Sequence, residues 1–147
     1  TLTYQIQNGS EGRSWGAELQ ANYQLLTGWR LRGGYTFFAK ELEAKKGRNF
    51  NPAYLGNDAR NQGMLQSILD LPGNLQLDVV AWYRDPLAKS LATEKVPSYL
   101  TFDTRLAYVN KGWEIAVVGQ NLAQKNHTEF GTNLIPRSIF AKISARF

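Results

Sequence analysis

Apolar and polar residues alternate one by one along most of the chain, and this period of two predicts β-strands. In the clearest stretch Trp15, Leu19 and Tyr23 fall on one side, while Glu18 and Asn22 fall on the other. No stretch has a convincing helical period. We therefore predict an all-β fold of about eight antiparallel strands in an up-and-down order, at about 1–7, 13–26, 29–40, 60–71, 74–84, 99–109, 112–122 and 138–147.

The connections between these strands alternate in length. Thr27-Gly28, Pro72-Gly73 and Asn110-Lys111 are of the residue types that form tight turns, whereas 41–59, 85–98 and 123–137 are long. In an up-and-down sheet the tight turns then meet at one end and the long loops at the other. Short turns at one end and long loops at the other are typical of outer-membrane β-barrels.

Large aromatic residues lie near both ends of the apolar side of the predicted strands. Such bands are favoured at the two interfaces of a lipid bilayer. A soluble barrel with this side turned inward would alternate equally well, but a small barrel interior has little room for so many large side chains. The pattern favours a membrane barrel, with Tyr23, Trp29, Tyr108, Trp113 and Phe147 on the turn side and Trp15, Phe37 and Tyr83 on the loop side.

The polar side of the same strands carries many charged residues. A basic side chain facing lipid costs about 2–4 kcal/mol at the bilayer midplane, so these residues need an aqueous or paired environment. For any single one of them, ordinary charge lining a barrel is the simplest interpretation. The predicted lumen-lining residues are Glu18, Arg30, Arg32, Asp78, Arg84, Asp103, Arg105 and Lys142.

The amino-acid composition is compatible with a membrane barrel and argues against several other kinds of site and partner. The 147 residues are 43% hydrophobic, carry a net charge of +5 and include no cysteine, so neither disulfides nor thiolate metal sites are available. The mean hydropathy of −0.39 resembles that of a soluble protein, as expected when only alternate residues face lipid. The basic residues are scattered rather than clustered, which argues against a nucleic-acid partner.

The sequence contains no pattern that indicates an enzyme, a metal site or a cofactor site. His127 is the single histidine, and metal sites need three or four convergent donors. We expect His127 to be a solvated loop residue. A hydrolase would have to assemble Ser98, His127 and Asp85 from separate loops, and we predict no catalytic residues and no cofactor.

The loop at 45–54 is the best candidate for ligand binding. It combines basic and aromatic side chains, which suit anionic aromatic chelates. Its lysines could equally pair with lipopolysaccharide phosphates, or the loop could simply be solvated. The predicted substrate-binding residues are Lys45, Arg48, Phe50 and Tyr54.

Four segments, taken in order, resemble the late barrel strands of TonB-dependent outer-membrane receptors. Residues 15–23 (WGAELQANY) resemble a recurrent strand of that family, and 96–105 (VPSYLTFDTR) resemble another. Residues 119–122 (GQNL), 127–131 (HTEFG) and 135–138 (IPRS) are similar to its closing hairpin. The stretch 138–147 (SIFAKISARF) resembles the terminal strand of outer-membrane proteins. The resemblance covers essentially the whole chain.

The resemblance implies that residues 1–147 are the C-terminal β-barrel segment of such a receptor, which has roughly 22 strands around an amino-terminal plug. The plug and its TonB-contacting box are absent from this sequence. The implied function is energy-dependent uptake of ferric siderophores or similar iron chelates across the outer membrane of a Gram-negative bacterium. The implied partners are the iron chelate, the lipid bilayer, lipopolysaccharide, TonB through the plug, and the barrel assembly machinery, which would recognise Phe147.

A complete small barrel with a structural or adhesive role is the alternative, because eight strands can close with side chains filling the interior. Pairing between 1–7 and 138–147 would distinguish it from a piece of a larger barrel.

Overall fold

The computed structural model describes residues 8–55, 57–91 and 94–145, apart from the side chains of residues 54 and 55. The predicted first strand at 1–7 and residue Phe147 lie outside this part of the chain. One 3-10 turn spans Pro52–Leu55. The strands are β1 (Ser10–Leu26), β2 (Trp29–Ala44), β3 (Asn61–Leu71), β4 (Leu75–Arg84), β5 (Tyr99–Val109), β6 (Trp113–Gln120), β7 (Asn126–Thr128), β8 (Leu134–Pro136) and β9 (Ser138–Ala145).

Seven of these strands form one antiparallel sheet in the order β1-β2-β3-β4-β5-β6-β9, and β7 and β8 form a separate hairpin. This confirms the predicted all-β, up-and-down fold. The tight turns have the predicted places, with Gly28 at φ +82° and Gly73 at φ +77°. Within the described residues the sheet does not close, because β1 and β9 remain its two edges. The pairing of 1–7 that would close a small barrel lies outside that part.

The strand register separates the side chains onto two faces. Leu19, Tyr35, Gly63, Tyr83 and Leu100 are opposite one another in a row across five strands. Because neighbouring side chains along a strand point to opposite sides, all residues in register with this row share one face, here called the apolar face. It carries Leu19, Leu31, Leu77, Phe102, Ile115 and Ile143. The opposite, polar face carries Glu18, Arg30, Asp78, Asp103 and Lys142.

Among the residues that the structure describes, none packs over the apolar face. Leu19 is 69% exposed and Ile143 is 75% exposed, and Trp15 and Tyr23 are exposed at the two predicted aromatic levels. These two aromatic residues are eight positions apart on β1, about 26 Å along a strand. A continuous apolar surface of this extent is unusual for a monomeric soluble protein, and it fits a wall whose outer side faces lipid.

The structure differs from the sequence prediction in two places. Strands β1 and β2 continue to Ser10 and Ala44, where the two residues are paired. Charged residues such as Glu11 and Glu43 break the alternation there, but the backbones of the two strands stay paired. The region 123–137, predicted as a loop, contains the β7–β8 hairpin. Strands of three residues are too short for a period of two to be detected.

The long loops pack against each other rather than standing apart. Ala59 from the β2–β3 loop is buried with Leu87 and Val96 from the β4–β5 loop. Leu87 and Val96 exchange two backbone hydrogen bonds of 2.9 and 3.0 Å. The loops therefore form a small core of their own above the sheet. No helix in the described ranges is long and apolar enough to span a membrane.

Candidate functional site

A cavity of about 750 Å³ opens on the polar face, near the end of the sheet that carries the long loops. All seven strands of the sheet contribute to its lining, so the polar face is the concave one. Its lining includes Glu18, Thr36, Gln62, Arg84, Tyr99, Gln120 and Ser138, and one side is formed by the β7–β8 hairpin.

An indole ring lies on this otherwise polar surface. Trp82 lines the cavity and is 44% exposed. Its Nε1–H donates a hydrogen bond of 3.2 Å to Oδ2 of Asp103, which holds the ring in place. The residue opposite Trp82 on β3 is Met64, another apolar side chain in the lining. The cavity lining thus combines apolar surface with a few polar and charged groups, which is the common composition of a small-molecule site.

His127 is buried against the same cavity, so the expectation of a solvated residue was wrong. Its ring lies 4.5 Å from that of Tyr99, centroid to centroid, at an angle of 38°. Its Nε2 is 2.9 Å from Oε1 of Glu129. His127 and Glu129 are two residues apart, so an extended backbone puts both side chains on one side. That spacing was the signal available in the sequence, but nothing there indicated that β7 folds back onto Tyr99.

Tyr99 also lies close enough to Arg84 and Glu129 to interact with both side chains. In the described part of the chain, Nε of Arg84 and Nδ1 of His127 are buried and have no hydrogen-bond partner. Buried polar atoms of this kind are uncommon. Both atoms belong to side chains that line the cavity.

The sequence GQNL at 119–122 explains why the chain turns back here. Asn121 has φ +54°, which ends β6 and which asparagine tolerates better than most residues. A Cβ atom on Gly119 would lie 3.0 Å from a side-chain carbon of Leu122. Glycine at 119 therefore leaves room for Leu122 to fold over the end of the strand.

All eight residues predicted to line a lumen lie on the polar face. Three of them, Glu18, Arg84 and Asp103, also line the cavity. Nearer the tight turns, Arg105 makes ion pairs of 2.6 Å with Asp78 and 2.7 Å with Glu114. Opposite charges on neighbouring strands stabilise each other in this arrangement.

The predicted ligand loop lies elsewhere. Lys45 and Arg48 are joined by a turn in which the Arg48 N–H donates to the Lys45 carbonyl, and Phe50 packs on Gly9. None of these three is in the described lining of the cavity. Tyr54 belongs to the 3-10 turn.

Asp85, just beyond the end of β4, joins the end of β4 to the start of β3, beside two of the long loops. Its Oδ1 accepts from the Tyr83 hydroxyl at 2.7 Å, and its Oδ2 accepts from the backbone N–H of Asn61 at 3.0 Å. The hydrogen bonds from Tyr83 and Asn61 lower the pKa of this carboxyl. Asp85 and His127 therefore have separate partners and do not form a catalytic pair with each other. Among the described residues, no group of three or more His, Cys, Asp or Glu side chains is placed to hold a metal ion.

An antiparallel sheet with an exposed apolar face, a polar concave face and long loops at one end has the features of the wall of a transmembrane β-barrel. The family described as TonB dependent receptor-like, beta-barrel, matches residues 1–122, and the chain belongs to this family.

A solved structure gives the same result for the fold. The crystal structure of the siderophore receptor PiuA from Acinetobacter baumannii is similar to this chain with a TM-score of 0.68 at 25% sequence identity. The similarity covers 91% of this chain and 22% of that chain. This chain therefore corresponds to about a fifth of the length of that receptor.

Proposed function

We propose that the chain forms part of the barrel wall of a receptor for energy-dependent uptake of ferric siderophores or similar iron chelates. The observation that carries the proposal is the cavity on the polar face, at the end of the sheet with the long loops. Its volume of about 750 Å³ lies within the range of roughly 300–1,000 Å³ typical of small-ligand sites. Membership of the receptor family and similarity to a siderophore receptor support the same function.

The cavity offers two features that suit a chelate with flat rings and an anionic group, next to three carboxylate side chains of its lining. The indole ring of Trp82 offers an apolar surface for stacking. Arg84 provides a positive charge two residues further along the same face of β4. Lys45 and Arg48 stay a prediction as the first contact for such a ligand, since basic side chains near the loop tips would attract anions before they reach the cavity.

The polar face fits a barrel that is larger than the described sheet. Strands β1 and β9 each have one edge without a neighbour in that part of the chain, and an edge of 17 residues such as β1 normally pairs with another strand. We propose that further strands continue the wall on both sides. The apolar face then contacts lipid and, near the loops, lipopolysaccharide, while a plug inside the barrel connects the receptor to TonB.

The test is uptake of iron by the full-length receptor in cells that lack their other siderophore receptors. Cells are given ⁵⁵Fe as a tris-catecholate and, separately, as a tris-hydroxamate complex, with TonB present or deleted. We expect uptake of at least one complex that requires TonB, and we expect Trp82→Ala to reduce it. The matched control is Trp15→Phe on the apolar face. TonB-independent or absent uptake of both complexes would refute the proposed function.

A further inference from the structure

The side chain of Asn121 is bonded to two separate strands. Its Oδ1 accepts a hydrogen bond of 2.8 Å from the Thr101 hydroxyl of β5. Its Nδ2 donates one of 2.8 Å to the Ile135 carbonyl of β8. The side chain therefore joins the returning half of the β7–β8 hairpin to the main sheet, although no ladder of backbone hydrogen bonds joins them within the described residues.

The backbone of Asn121 adds a third attachment. Its N–H donates a hydrogen bond of 2.9 Å to Oδ1 of Asp103, and the next N–H, of Leu122, donates to the Phe102 carbonyl at 2.9 Å. Asn121 is only 3% exposed, so water does not compete for these bonds. Buried hydrogen bonds that satisfy every polar group of a side chain hold its neighbours in one arrangement.

These attachments reach the cavity at two points. Asp103 accepts from Asn121 through Oδ1 and from the indole of Trp82 through Oδ2. Ile135, which Asn121 holds, is paired with His127, and His127 packs on Tyr99. The position of the hairpin and the orientation of two cavity rings thus depend on the same residue.

We infer that Asn121 is a positioning residue that fixes the β7–β8 hairpin as a preformed wall of the cavity. The hairpin would otherwise be a mobile loop of 17 residues between β6 and β9, and ordering it on binding would reduce affinity. The consequence for ligand affinity rests on the proposed function, whereas the rigidity of the hairpin does not.

The test measures hairpin mobility without a ligand. A cysteine replaces Phe130, which is 66% exposed in the hairpin, in the full-length receptor; it is the only cysteine in this region, because the chain has none. A spin label on it reports mobility by electron paramagnetic resonance. We expect Asn121→Gly, which accepts the same φ but lacks the side chain, to increase mobility clearly. Asn121→Asp keeps the acceptor for Thr101 but loses the donor to Ile135, so it should also increase mobility, and it serves if the glycine variant misfolds.

Asn74 provides the matched control, because it also has a positive φ, of +63°, but lies in a tight turn at the other end of the sheet. Asn74→Gly should leave the label at 130 unchanged. A second label at Leu91, exposed in the β4–β5 loop, should be insensitive to Asn121. Unchanged mobility at 130 in both Asn121 variants would overturn the inference.

Ligand binding then separates the inference from the proposed function. With the ferric tris-catecholate and tris-hydroxamate complexes as probes, we expect Asn121→Gly to weaken binding by roughly tenfold, the effect of losing about 1.4 kcal/mol. The Asn74 variant should bind like the unmodified receptor. If the unmodified receptor binds and transports neither probe, the proposed function fails, and the mobility result still decides the role of Asn121. If it binds and Asn121→Gly binds equally well, the preformed wall has no role in recognition.

Discussion

The indole N–H of Trp82 and the carboxylate of Asp103 are joined by a hydrogen bond of 3.2 Å between neighbouring strands of the sheet. Both residues lie on the polar face. The direct partner of Asp103 in the register is Val80, which precedes Trp82 by two positions on β4. The bond satisfies the one polar atom of the indole and leaves the rest of the ring in the cavity. A large apolar side chain is thereby held where the surrounding pattern is polar.

Removing the Trp82 ring should weaken ligand binding more than removing its hydrogen bond. We expect Trp82→Ala to lower affinity for a transported ferric chelate roughly tenfold, since an aromatic contact contributes about 0.5–1.5 kcal/mol beyond the area it buries. Trp82→Phe keeps a ring and should lose less. Equilibrium binding to the purified full-length receptor measures both. Equal affinity of the alanine variant and the unmodified receptor would exclude Trp82 from the site.

Charge should be tolerated on the polar face and not on the apolar face. Leu19→Arg or Leu77→Arg should destabilise the membrane-inserted barrel by about 2–4 kcal/mol, because the guanidinium would face lipid. Gln20→Arg, one residue away on the polar face, should cost much less. Urea titration of the full-length receptor in lipid vesicles gives both values. Similar losses for Leu19→Arg and Gln20→Arg would contradict the assigned faces.

The ion pairs of Arg105 should stabilise the barrel more than exposed charges do. Arg105→Met leaves Asp78 and Glu114 without their shared cation, and each of these side chains is only about a fifth exposed, at 19% and 23%. We expect a loss of about 1–3 kcal/mol, the usual cost of leaving buried polar groups unpaired. Arg32→Met, at an exposed position on the same face, is the control. Urea titration of the full-length receptor in lipid vesicles measures the stability of both variants. A loss of stability no greater than that of Arg32→Met would show that the ion pairs do not stabilise the barrel.

The contact of Asp85 with the start of β3, at the base of the two long loops, should weaken in acid. The pKa of Asp85 is lowered from its ordinary value of 3.8 by the hydrogen bonds from Tyr83 and Asn61. A lowered pKa in the folded state means that the stabilisation is present above 3.8 and is lost as the pH falls through the folded-state value. Hydrogen exchange of residues 57–61 and 85–91, measured against pH, should show increasing opening below about pH 4. In Asp85→Asn this dependence should disappear, and a persisting dependence would assign it to another group.

Much of the fold follows from local sequence. The period of two places Leu19 and Glu18 on opposite faces because a β-backbone turns successive side chains to opposite sides. Gly28 and Gly73 allow the positive φ of the tight turns. These effects act over a few residues, so seven of the predicted strands and their faces could be assigned without a structure. The residues at 45–54 could be proposed as a ligand loop by the same means, and they stay a prediction.

The sequence by itself determined the seven strands of the main sheet, its two faces and the positions of the tight turns, since each depends on a few consecutive residues. Only the tertiary structure decided which side chains form the cavity. Tyr99 and His127 are far apart along the chain and meet because the segment after β6 folds back, and Trp82 reaches Asp103 because β4 and β5 pair in one particular register. Such contacts depend on loop course and strand register, which combine many weak interactions along the whole sheet. Periodicity shows the direction in which a side chain points, but not which distant residue it will contact.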